Sequence, residues 1–165
     1  GDLPSIKQAV ASYVGRAAQK LRAQEMLCKR MRVSIRTGMF NPNEAHHAQG
    51  ALVELPYPTC DTLLMTRLAS QAVERVFRPG FRYSKAEVLL MDLRAPGDFS
   101  GDLFAARQPP TRDRAMQVMD DINQRWGRGT LRVASVPLVP AWGMKREMMS
   151  QSYTTRIDQL WTIRG

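Results

Sequence analysis

The stretch Arg30-Met31-Arg32-Val33-Ser34-Ile35-Arg36-Thr37 alternates strictly between apolar and polar residues. A period of two places Met31, Val33 and Ile35 on one side of a strand and Arg30, Arg32, Ser34 and Arg36 on the other. Such a strand is half buried, with its basic side left in water. Along that side the residues stand about 7 Å apart, twice a strand's rise. That spacing is close to the phosphate repeat along a single DNA strand, and a row of this kind holds backbone phosphates without reading bases. The same row would also serve as a solvated face that keeps the strand from aggregating.

Working outward, the residues before this strand have helical spacing. Over about 3–26, Ile6, Val10, Val14, Ala17 and Leu21 form one stripe, with Asp2 or Ser5 available as N-cap. After the strand, a loop rich in Gly, Asn, Pro and His runs from Gly38 to Gly50. Ala51 to Leu55 reads as a short second strand closed by Pro56 and Pro58. Thr59 is placed to cap a helix reaching about Phe77, with Leu64, Leu68, Ala72 and Val76 as its apolar stripe. Phe81 to Leu93 reads as a third strand, and its run Val88-Leu89-Leu90-Met91 predicts burial on both faces. Periodicity is lost from Arg94 to Pro110. A third helix is expected over Thr111–Trp126, with Ala115, Met119, Ile122 and Trp126 inward, and a last strand over Leu131–Val136. After Pro137 and Pro140 the chain is polar and rich in Met.

Totals narrow the classes of function. The 165 residues include 24 Lys and Arg against 15 Asp and Glu, a net charge of +9. Residues 1–50 carry eight basic against three acidic side chains, and residues 101–165 carry ten against six. An excess of this size attracts polyanions, of which DNA is the commonest inside cells. The hydrophobic share of 44% supports a packed core. Cys28 and Cys60 stand far apart and form neither a disulfide framework nor a zinc pattern. There is no signal peptide and no long apolar run, so the chain reads as cytoplasmic, without a membrane partner. It opens on Gly1 rather than Met, which reads as a piece of a longer protein.

Four segments carry a family resemblance. Ser12-Tyr13-Val14-Gly15-Arg16-Ala17-Ala18-Gln19-Lys20-Leu21-Arg22 is similar to a helix of UmuC-like Y-family DNA polymerases, the family of the DNA polymerase V catalytic subunit. Arg82-Tyr83-Ser84-Lys85-Ala86 resembles that family's strand entry, and Gly127-Arg128-Gly129-Thr130-Leu131 its turn. Met144-Lys145-Arg146, followed by Ser150-Gln151-Ser152-Tyr153-Thr154-Thr155-Arg156, resembles the signature near its C-terminus. The four occur in order across nearly the whole chain.

The resemblance implies an α+β fold, with helices packed on one face of a small, mostly antiparallel sheet, followed by a smaller helix–strand–tail region. Residues 3–94 would be the little finger domain that lays its open face along primer–template DNA. Arg30, Arg32, Ser34, Arg36 and Lys85 are the expected contacts. The family's domain usually begins with a further strand, which would precede Gly1. Residues 95–110 would be a linker holding a sliding-clamp motif reduced to Leu103-Phe104, with Ser100 where the family has Gln. The same pair would equally serve to pack on its own domain. Residues 111–165 would be the C-terminal extension that binds the UmuD′ dimer and contacts the RecA filament. There Trp142, Met144, Lys145, Arg146, Tyr153, Thr154, Thr155 and Arg156 are candidate docking residues, or else the tail folds back over the third helix.

No catalytic centre is legible. Two-metal nucleotidyl transfer needs carboxylates that converge, whereas Asp120 and Asp121 are adjacent on a helix and point apart. Asp92 and Asp98 have no partner motif, and His46-His47 beside Glu44 read as an exposed loop pair. The resemblance puts catalysis and its magnesium in a palm domain preceding Gly1, with no cofactor in this piece. A role in error-prone translesion synthesis during the SOS response to DNA damage follows from the same resemblance. The rival reading is a protein-docking module with little DNA affinity of its own.

Overall fold

Helix α1 (Leu3–Ala23) begins after Asp2, with a proline in its first turn where a missing N–H costs nothing. The structure, a computed structural model, describes residues 2–38, 40, 42–98, 108–140 and 142–143. Glu25 takes a positive φ of 52° and the Met26 amide donates back to the Leu21 carbonyl at 2.9 Å, which ends the helix three residues short of the expected 26. The buried stripe is Ile6, Val10, Val14, Ala18 and Leu21; Ala18 takes the place expected of Ala17.

Strand β1 (Leu27–Thr37) is the centre of a three-stranded sheet of order β2-β1-β3, antiparallel on both sides. Strand β2 (Ala48–Thr59) is longer than the expected 51–55 and runs through both prolines. It can do so because it is an edge strand, where a missing donor faces no neighbour. The register also shifts between Cys28 and Arg30, opposite Thr59 and Glu54, and this irregularity takes in Pro56 and Pro58. Strand β3 (Tyr83–Arg94) forms the other edge.

Helix α2 (Thr62–Val76) is capped by Asp61 rather than Thr59. The Asp61 carboxylate accepts from the amides of Leu63 at 2.9 Å and Leu64 at 3.4 Å, and the Thr59 hydroxyl accepts from the Asp61 amide. Its inward stripe is Met65, Ala69, Ala72, Val73 and Val76, and Leu64 and Leu68 are half-buried. Helices α1 and α2 pack on each other and cover one face of the sheet, closing a core on Met31, Val33, Ile35, Val53 and Leu55. The fold is α+β, as the sequence leads one to expect.

No layer covers the second face among the described residues, and this corrects the expectation for β3. Leu89, Met91 and Leu93 are 50%, 38% and 42% exposed, while Val88 and Leu90 turn toward the helices and pack on the core. Helix α3 (Pro110–Trp126) also departs from its expected stripe. It is anchored by Met116, which is buried, while Ala115, Val118 and Trp126 face outward. Residues Leu131–Val136 form turns, not a strand. Asn123 occupies both backbone groups of Leu131, its amide donating to the carbonyl at 2.8 Å and its oxygen accepting from the N–H at 2.9 Å. The Val136 amide then turns back to Val133.

Candidate nucleic-acid interface

The cross-strand register lays out the open face in rows. Arg30 sits between Glu54 and Met91, Arg32 between Leu52 and Leu89, Ser34 between Gly50 and Glu87, and Arg36 between Ala48 and Lys85. Alternation along β1 fixes the outward direction, because Met31, Val33 and Ile35 are held inward by the helices. Arg30, Arg32, Arg36 and Lys85 are exposed and Ser34 is half-buried. The structure therefore brings all five expected residues onto one surface.

The positive charge of this surface is only partly compensated. Among the described residues no acidic side chain forms an ion pair with Arg30, Arg32, Arg36 or Lys85. The two acids in the rows are Glu54 and Glu87, and Glu54 is 3.7 Å from Lys29. Four cations facing two carboxylates across a flat, open sheet make a surface that attracts polyanions. At the Arg36 end, the open face and Tyr13 line a shallow cavity of about 800 Å³ that includes Ser34, Ala48, Gly50 and Lys85.

Other expected site residues fall elsewhere. Trp142 is half-buried, and its ring meets the edge of Tyr13 of α1 with centroids 6.0 Å apart, so it packs against its own chain. Leu103, Phe104, Met144, Lys145, Arg146, Tyr153, Thr154, Thr155 and Arg156 lie outside the described residues. His46 is 3.0 Å from the Gly38 carbonyl, His47 is 3.0 Å from the Tyr83 hydroxyl, and Glu44 pairs with Arg82. Asp120 pairs with Arg22 of α1, and Asp92 with Arg94. No cluster of three metal-ligating side chains occurs among the described residues. Nor is any described helix long and apolar enough to cross a membrane.

Residues 1–103 match the profile of the impB/mucB/samB family C-terminal domain. The chain belongs to this family. Residues 113–163 match a second profile, a domain of unknown function (DUF4113). Protein UmuC of Salmonella typhimurium is 35% identical over 99% of this chain and 39% of its own length. Protein ImpB of Salmonella typhimurium is 37% identical over 94% of the chain and 37% of its own length. Protein MucB of Escherichia coli is 35% identical over 93% of the chain and 36% of its own length. The chain thus spans under two fifths of these curated relatives. Family membership agrees with the resemblance carried by the four sequence motifs.

Sequence reasoning did not find the apolar members of the open face, Leu52, Leu89 and Met91. The available signal was the absence of enough helix to cover two sheet faces. It also missed Gly50, which it placed at the end of a loop; the strand pattern continues back through Gly50 to Ala48.

Proposed function

We propose that this family member uses the open face of its sheet to grip primer–template DNA through the phosphate backbone, as the noncatalytic little finger of an error-prone translesion polymerase. The supporting observation is the row of three arginines on the central strand, exposed and without ion-pair partners among the described residues. A grip on phosphates is independent of sequence, which suits an enzyme that must hold distorted template. In the longer protein, nucleotidyl transfer and its magnesium ions belong to residues outside this chain. Replacing Arg32 and Arg36 together with Ala should weaken duplex binding at every sequence and lower the salt slope by roughly two phosphate contacts. Unchanged binding would remove the strand from the interface.

A second reading is favoured by the outward apolar side chains of α3, where Val118 is 51% and Trp126 62% exposed. On this reading residues 111–165 dock a protein partner, such as the UmuD′ dimer or the RecA filament, and Leu103-Phe104 engages the sliding clamp. Apolar docking depends little on salt, so the two readings separate in a salt titration. Tyr153→Ala should then impair capture of the UmuD′ dimer while leaving DNA affinity unchanged.

A further inference from the structure

Gly50 lies inside a strand, where glycine is locally unfavourable and marks a close approach by another group. A Cβ placed on it would stand 3.1 Å from the Arg32 Nε, 3.4 Å from Arg32 Nη2 and 3.1 Å from the Ser34 Cβ. The guanidinium of Arg32 therefore lies across β2 over Gly50, where an added Cβ would push it aside by a few tenths of an ångström. By register, Leu52 and Leu89 flank Arg32 on either side, which leaves Gly50, diagonally placed, as the open direction.

We infer that Gly50 is a positioning residue that seats the Arg32 guanidinium flat on the open face, making Arg32 the pre-oriented phosphate anchor of the sheet. The inference rests on the DNA-gripping reading above and adds to it a cause of binding strength that charge alone does not supply. A guanidinium offers a planar fork to two phosphate oxygens, and the fork is effective when its plane is already set. Holding one long side chain in place before binding removes part of the ordering cost of association. By register Gly50 is diagonal to Arg36 as well as to Arg32, but the guanidinium nearest to a Cβ placed on Gly50 is that of Arg32.

The test is an anisotropy titration of a labelled primer–template duplex with the whole chain. Gly50→Ala keeps every charge, so it is expected to weaken binding roughly threefold to tenfold with an unchanged salt slope. In an Arg32→Ala background the same change should do nothing further, because there is no guanidinium left to displace. Gly50→Ala binding as tightly as the unsubstituted chain, or losing the same factor without Arg32, would overturn the inference. If thermal melting shows that Gly50→Ala unsettles β2, Arg32→Lys is read instead. It keeps the charge but has no plane to seat, and should lose a similar factor; full affinity with lysine would overturn the inference equally. Arg32→Ala alone keeps the two readings apart. If it leaves affinity intact, the strand does not grip DNA. If it weakens binding while Gly50→Ala and Arg32→Lys do not, only the seating over Gly50 fails.

Discussion

Arg22 and Asp120 join α1 to α3 through a two-pronged ion pair, Nε to Oδ2 at 2.5 Å and Nη2 to Oδ1 at 2.8 Å. The remaining guanidinium nitrogen of Arg22 donates to the Cys60 carbonyl at 2.8 Å and the Thr62 hydroxyl at 2.9 Å. One side chain thus ties the end of α1, the entry to α2 and the flank of α3. The Met116 sulfur accepts from the Thr62 amide beside it, Arg112 lies 3.8 Å from the buried Asp61, and Gln108 bonds Thr59. Helix α3 is therefore docked on the domain that bears the candidate DNA face.

Removing either partner should loosen that dock. Arg22 is 9% and Asp120 29% exposed, so the pair is largely desolvated. Arg22→Ala is expected to cost about 3 kcal/mol, and Asp120→Ala less, because Arg22 keeps its other acceptors. Hydrogen exchange should show α3 amides losing protection first while β1 stays protected. Unchanged protection of α3 in both variants would mean that Met116, Arg112 and Gln108 hold the helix without the Arg22–Asp120 pair.

The two sides of the sheet should respond oppositely to truncation. Met31→Ala empties a fully buried site and is expected to cost about 2–5 kcal/mol in urea denaturation. Leu89→Ser, on the open face, should change stability by less than about 0.5 kcal/mol. A large loss at Leu89 would show that something covers the second face.

Cys28 should make folding sensitive to alkali. Burial is the main cause that raises its thiol above the ordinary value of 9.0. A folded-state value above the unfolded one stabilises the fold below about pH 9, and that contribution is lost as pH rises through the folded value. Cys28→Ala should therefore be less stable than the unsubstituted chain at neutral pH, with the gap narrowing above pH 9. A constant gap in denaturation midpoints across that range would contradict this.

Much of the fold was legible because β1 and α1 carry strong local periods and the loop from Gly38 carries clear breaks. The shared face of Arg30, Arg32, Ser34 and Arg36 was legible for the same reason, since alternation alone assigns them to one side, whereas Lys85 was expected there only from the resemblance. What was not legible depends on contacts distant in sequence. A run such as Val88-Leu89-Leu90-Met91 does not reveal whether a second layer exists to cover it. The inward face of α3 is set by Met116 and by Asp120 meeting Arg22, 98 residues away, rather than by the expected apolar stripe. Leu131–Val136 reads as a short apolar segment like a strand, yet Asn123 takes both backbone groups of Leu131.

DNA gripping by the open face is tested most directly by titrating a labelled primer–template duplex with the chain at several salt concentrations. With about four cations engaged, affinity should fall on the order of a hundredfold between roughly 50 and 200 mM salt. Binding that ignores salt, or no binding at the lowest salt, would contradict a phosphate grip by Arg30, Arg32, Arg36 and Lys85.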